Sequence, residues 1–269
     1  MPGLSPSTSR FLATHPVFRL DEFRAACGEG RTDQTVRARI KQFMASGRLK
    51  PLFPGLYAVT PLGEEADSFG PDPLLVASRL AHDSVLAFHS AFEALGFAHQ
   101  PFSRVTYLTR AHRRTRLSGA NSFVALAPPA RLGEKWRDLG TETVLRGGLP
   151  IRTTGRERTL ADCLARPQYS GGLEELLACV GLLPSLDFEL LESYLLALGS
   201  PTLFARVGFV LERFADRLFF DERWRTRFAS RLPKSPAYLL QREPGNVLVR
   251  RWQLLAPPSL LEQEESVLR

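Results

Sequence analysis

The chain has little cysteine, little lysine and no long apolar run, and each shortage excludes something. Its three cysteines, Cys27, Cys163 and Cys179, stand far apart with no CxxC spacing, so neither a disulfide framework nor a zinc site is expected. No stretch approaches the roughly 20 apolar residues of a membrane helix. The polar start Met1–Arg10 also lacks a signal peptide's apolar segment, which makes a cytosolic location the expectation. Several catalytic spacings are missing too: GxSxG, HExxH, GxxxxGK followed by Ser or Thr, and a GxGxxG that opens a helix.

What is present is an ordinary globular composition, 44% hydrophobic and 23% charged over 269 residues, enough for one large domain or two smaller ones. Lysine is confined to Lys41, Lys50, Lys135 and Lys234, so the formal net charge of +7 is almost wholly arginine's. Arginine's planar fork matches phosphate geometry better than an ammonium does. Residues 1–60 hold nine cations (Arg10, Arg19, Arg24, Arg31, Arg37, Arg39, Lys41, Arg48 and Lys50) against Asp21, Glu22, Glu29 and Asp33. That excess of five leaves two for the rest of the chain, a distribution expected of a nucleic-acid-binding module at the N-terminus.

Residues 1–60 read as short helices followed by a hairpin. Leu20–Phe23 begins a helix that Gly28 and Gly30 end. Thr32 is a good N-cap, Asp33 suits the positive helix start, and Gly47 stops the helix between them. At 100° per residue Val36, Ile40, Phe43 and Met44 share one face. Gln34, Ala38, Lys41 and Gln42 lie opposite, with Thr35 and Arg37 on the flanks. Arg48–Phe53 and Leu56–Val59 then read as strands joined around Pro54-Gly55. That order predicts a winged helix-turn-helix over residues 1–60, inside an overall α+β fold. A recognition helix of this kind enters the major groove, where Gln contacts adenine and Arg guanine, while the wing's cations meet phosphates. The expected DNA contacts are Arg31, Thr32, Gln34, Thr35, Arg37, Ala38, Lys41, Arg48 and Lys50.

Residues 61–73, PLGEEADSFGPDP, read as a linker, and residues 74–269 as a larger mixed α+β domain with a small sheet and several helices. A helix is expected over Asp83–Gly96, with strands over Val105–Arg110 and Ser122–Ala127. Thr141–Arg146 and Leu149–Thr154 read as a hairpin across Gly147-Gly148. Helices are expected over Arg158–Leu164, Leu173–Leu183, Phe188–Leu198 and Thr202–Phe214, and strands over Tyr238–Gln241 and Val247–Leu255. Candidate chemistry here is thin. His89 beside Ser90 suggests acid–base work, against which stands an ordinary structural histidine. Asp162 with Glu174 and Glu175 has the residue types of a nuclease's metal-binding acids, against which stands a salt-bridged helix carboxylate. Two basic clusters are candidates for a second nucleic-acid or partner surface: Arg110, Arg113, Arg114 and Arg116, and Arg223, Arg225 and Arg227 around Trp224.

Several runs resemble the AbiEi family of antitoxins from abortive-infection, phage-defence toxin–antitoxin systems. They are the predicted winged helix, Ala87-Phe88-His89-Ser90-Ala91-Phe92-Glu93-Ala94-Leu95-Gly96, the run Arg158-Thr159-Leu160-Ala161-Asp162-Cys163-Leu164-Ala165-Arg166-Pro167, and Gly171-Gly172-Leu173-Glu174-Glu175. Arg206–Glu212 is similar to the helix that follows in that family, and the likeness spans residues 15–215. The resemblance implies a non-enzymatic repressor of its own operon that binds inverted repeats in double-stranded DNA through the N-terminal domain. It also implies an antitoxin-like C-terminal domain that counteracts a nucleotidyltransferase-like toxin. No cofactor, catalytic residue, metal or membrane partner is expected on this reading. A nucleic-acid-processing enzyme, targeted by a winged helix, is the alternative.

Overall fold

The structure is a computed structural model that describes residues 5–27, 30, 32–240, 242 and 244–260. Arg31, an expected DNA contact, lies outside the described residues, as do Gly28 and Gln241 at the expected ends of a helix and a strand. The chain opens with α1 (Pro6–Thr14), β1 (Val17–Arg19), α2 (Leu20–Cys27) and α3 (Asp33–Ala45), followed by β2 (Leu49–Phe53) and β3 (Leu56–Val59). Ser5 caps α1 by accepting from the Thr8 N–H, and Pro6 supplies a first-turn residue with no N–H to satisfy. The three strands form an antiparallel sheet in the order β1-β3-β2. Phe11, Phe18, Phe23, Val36, Ile40, Phe43 and Leu49 are all buried in one core beneath them. Phe11 meets Phe18 and Phe23 edge-on, with centroids 5.1 and 5.5 Å apart. Burial of each such side chain contributes about 1.5–3 kcal/mol, which is what allows a segment this short to hold its helices in place.

The middle of the chain supplies α4 (Pro73–Arg79), β4 (Val85–Leu86), α5 (His89–Leu95), β5 (Arg104–Leu108), β6 (Arg116–Ser118), β7 (Asn121–Leu126), β8 (Thr141–Arg146) and β9 (Leu149–Thr154). Its strands form one mixed sheet, ordered β6-β7-β5-β4-β9-β8, in which β5 and β7 run parallel. The β8–β9 hairpin turns where expected, and Gly147 and Gly148 both take positive φ (55° and 77°), which a side chain would resist. The helix expected over Asp83–Gly96 is not one element. Val85 and Leu86 pair with Leu108 and Tyr107 in the sheet, and Phe88 takes φ 58° before α5 begins at His89. The apolar period of α5 continues backwards into β4, and periodicity alone does not mark where a helix gives way to a buried strand.

Helices then dominate: α6 (Arg156–Ala165), α7 (Leu173–Leu182), α8 (Phe188–Leu198), α9 (Pro201–Glu212), α10 (Ala215–Leu218) and α11 (Glu222–Ala229), before short strands β10 (Ala237–Tyr238), β11 (Val247–Val249) and β12 (Leu254–Ala256). The fold is mixed α+β. Gly208 of α9 lies directly against the Trp252 ring, so that a Cβ there has no room. Trp252 is fully buried, and its indole donates to Glu212 at 2.5 Å. This contact ties the C-terminal strands to α9.

Two compact units result, and their division does not fall at residues 61–73. The first comprises Met1–Leu86, Ser103–Leu126 and Thr143–Arg152; the second comprises Ala87–Phe102, Ala127–Glu142 and Thr153–Arg269. The expected linker instead runs along the first unit. Lys50 Nζ donates to the carbonyls of Asp67 (3.1 Å) and Phe69 (2.6 Å). Asp72 caps α4 through the Leu74 N–H and accepts from Arg146 at 2.6 Å. Proline, glycine and acid mark this stretch as irregular, but irregular backbone held by hydrogen bonds is not a flexible joint.

Candidate nucleic-acid interface

The first unit presents α3 as the sequence describes it. Thr32 caps it by accepting from the Thr35 N–H at 3.3 Å, and the two threonine hydroxyls bond each other at 2.9 Å. Val36, Ile40 and Phe43 are buried, and Met44 packs against the same core. Gln34, Thr35, Arg37, Ala38, Lys41 and Gln42 are all exposed. Positions 34, 37, 38 and 41 follow the i, i+3, i+4, i+7 spacing of one helix face. Asp33 is engaged by Arg24, so the acid at the helix start does not stand alone beside this face. Ala38 in the middle of the face leaves its centre without a long side chain.

The cations near the hairpin divide into two kinds. Arg48 is exposed, with its guanidinium 5.7 Å from the Phe43 ring centroid, and is positioned by that stacking. Lys50 is different: with two of its ammonium donors committed to Asp67 and Phe69, it serves the 61–72 segment rather than standing open to phosphate. Of the second cluster, Arg110, Arg113 and Arg114 sit on an exposed loop between β5 and β6. Asp83 anchors that loop by accepting from the Thr109 hydroxyl (2.5 Å) and the Arg110 N–H (2.8 Å). Arg116 lies over Phe53 at 5.4 Å, and Phe123 meets the same ring edge-on at 5.9 Å. This basic loop therefore adjoins the tip of the β2–β3 hairpin, and the sequence, which separates the two by more than fifty residues, gave no sign of it. A cavity of about 340 Å³ beside the hairpin turn is lined by Arg19, Asp21, Arg24, Arg79 and Arg116, and three of these arginines are already paired, Arg19 with Asp21, Arg24 with Asp33 and Arg79 with Glu22.

The cluster on α11 does not form an open basic patch. Arg227 pairs with the buried Glu192 (Nε to Oε1, 2.8 Å), joined by Arg231, and Arg225 pairs with Glu222. Arg223 stacks on Trp224. Burying Glu192 without a cation would be costly, so Arg227 answers a need inside its own unit. The partner lies 35 residues upstream, beyond the reach of any local pattern.

The acids singled out in the second unit are likewise occupied, and in separate places. Asp162 Oδ1 accepts from the Tyr194 hydroxyl at 2.5 Å, and Oδ2 from Arg158 Nε at 3.3 Å. Arg158 also donates to the carbonyls of Trp136 and Leu139, at 2.6 and 2.9 Å, and is fully buried. Burial raises the Asp162 carboxyl above its usual range against the opposing pull of Arg158 and Tyr194. Glu175 belongs to another cluster: its Oε1 accepts from His89 Nε2 (2.9 Å), Cys179 Sγ (3.3 Å) and the His99 and Gln100 N–H groups. Burial works to raise Glu175, but the bonds from His89, Cys179 and Gln100 outweigh it and lower it below the ordinary value. Burial depresses His89 against the pull of Glu175 and pushes the Cys179 thiol up to about 12. Glu174 is exposed. Asp162, Glu174 and Glu175 are thus not brought together as nuclease acids.

Among the described residues no helix is long and apolar enough to cross a membrane. No family model matches the chain, and no curated protein does. Its fold is similar to that of a solved structure, the RV2827C protein of Mycobacterium tuberculosis. The TM-score is 0.61 at 21% sequence identity, covering 96% of this chain and 93% of that one.

Proposed function

We propose that this protein is a DNA-binding transcriptional repressor, with residues 1–60 acting as a winged helix-turn-helix. The observation that carries the reading is α3, with a fully apolar back, an exposed face of Gln34, Arg37, Ala38 and Lys41, and the β2–β3 hairpin immediately after it. On this reading α3 lies in the major groove, with Gln34 and Arg37 reading base edges while Arg48 and the Arg110–Arg116 loop contact phosphates on either side of the hairpin. The DNA would be an inverted repeat upstream of the protein's own gene. The second role, as an antitoxin to a nucleotidyltransferase-like toxin, rests on the resemblance of residues 87–96 and 158–175 to AbiEi antitoxins. Both stretches lie in the second unit.

The test is binding of the full chain to duplexes tiled across the DNA upstream of its gene, beside scrambled duplexes of equal length. Selective retention of one duplex, weakening steeply with salt, is expected. Equal affinity for every duplex would remove the repressor reading. Growth of cells co-expressing the paired toxin tests the second role; failure to restore growth, with the protein shown folded, would remove it.

A further inference from the structure

The cluster around Glu175 has a donor set that the repressor reading leaves unused. His89 Nε2, a Glu175 carboxylate oxygen and Cys179 Sγ all lie within 4.8 Å of one another, and all three residues are buried. A fourth donor stands at its edge: His99 Nδ1 is 3.5 Å from Glu175 Oε2 on a side chain 65% exposed. Three segments of the second unit converge here, namely α5 with His89, the loop after it with His99, and α7, where Glu175 and Cys179 sit four apart on one face. Gly171 makes the approach possible. Its φ is +83°, and a Cβ there would run into the Phe102 ring and lie 3.0 Å from Glu175 Cγ. Phe102 in turn packs on the His89 imidazole, with centroids 4.1 Å apart, and fixes the ring's plane.

We infer that His89, Glu175, Cys179 and His99 form a binding site for a zinc-class divalent cation, with two imidazoles, one carboxylate and one thiolate as ligands. Ligand atoms around tetrahedral zinc, at bond lengths of about 2.0–2.3 Å, stand roughly 3.3–3.7 Å apart. About Glu175 Oε1 the separations to His89 Nε2 and Cys179 Sγ are 2.9 and 3.3 Å, close to that spacing, and the three donors lie within 4.8 Å of one another. His99, 3.5 Å from the other carboxylate oxygen, completes the set by rotation of its exposed side chain. Charge also balances: a dication with one carboxylate and one thiolate is neutral, which suits a buried site. Metal uptake releases the Cys179 proton to solvent and takes the His89 ring as a neutral imidazole with its lone pair on Nε2. Mixed nitrogen, sulfur and oxygen donors select zinc, or cobalt in its place, over magnesium and calcium. The exposed His99 marks the way in. Such a site would clasp α5, the loop after it and α7 together, and so hold the second unit's shape by metal occupancy.

The experiment loads the full-length, reduced protein with Co²⁺ and, separately, Zn²⁺, and reads stoichiometry and the thiolate-to-cobalt absorption band. One equivalent with that band is expected, lost in Cys179→Ser and kept in Cys163→Ser and Cys27→Ser. His99→Ala, at an exposed position where folding is not at risk, is expected to weaken zinc binding at least tenfold. Absence of the band in the parent protein, or its persistence in Cys179→Ser, would overturn the site. Unchanged zinc affinity in His99→Ala would overturn the four-ligand assignment.

Discussion

Arginine is used in opposite ways on and beside α3 and in the interior of the second unit. On α3 and the hairpin side of the first unit, Arg37 and Arg48 face solvent, and neither has an acidic partner among the described residues. In the second unit Arg158 is fully buried against Asp162 and two carbonyls, and Arg227 and Arg231 close on the buried Glu192. The same residue type thus leaves its charge available to an outside phosphate in one place and cancels an internal charge in the other. Net charge alone therefore says little about binding, and what each cation is already paired with says more.

Substitutions at the buried pairs of the second unit therefore act on stability, and substitutions of the exposed cations of the first unit act on DNA affinity. The largest loss of stability is expected at the Arg158–Asp162 pair. Asp162→Ala leaves a buried guanidinium unpaired and is expected to cost about 3–5 kcal/mol, read by chemical denaturation. Replacing both residues with apolar ones of similar volume is expected to cost less than either single change; a double variant as unstable as the sum of the singles would break the account of the pair. Gly208→Ala drives a methyl into the Trp252 ring and is expected to cost about 1–3 kcal/mol by overpacking. Thermal unfolding checks it, and an unchanged midpoint would show that Trp252 can move aside. Thr32→Ala removes the α3 cap at a cost of about 1 kcal/mol, measured by the same method. The smallest effect sharpens the contrast within the first unit. Arg48→Met is expected to lower the slope of log affinity against log salt by about one. Lys50→Met is expected to leave that slope in place, because its ammonium is already held by Asp67 and Phe69.

Much of the first unit was legible in the sequence. The back of α3 is apolar at Val36, Ile40 and Phe43, and those side chains are buried because a single helical period encodes them. Thr32, Pro54-Gly55 and Gly147-Gly148 mark their cap and turns by backbone chemistry that is local in kind. What was not legible depends on distant partners. The strand β4 was hidden inside a helical pattern because its pairing residues lie on β5, some twenty positions later. The 61–73 stretch has the composition of a linker, and only Lys50 and Arg146, outside it, reveal that it is held in place. Arg223–Arg227 reads as a basic patch until Glu192 is set beside it. For the same reason His89, His99, Glu175 and Cys179 show no metal spacing along the chain, since they come from three separated segments.

Gln34→Ala decides whether the exposed face of α3 reads DNA sequence, measured as the ratio of affinities for the preferred and a scrambled duplex at one salt concentration. This ratio is expected to fall by the equivalent of about 1–3 kcal/mol, through loss of a base-edge contact, while affinity for the scrambled duplex and the stability of the protein stay in place. If both affinities fall in parallel, or neither moves, α3 is not the reading helix.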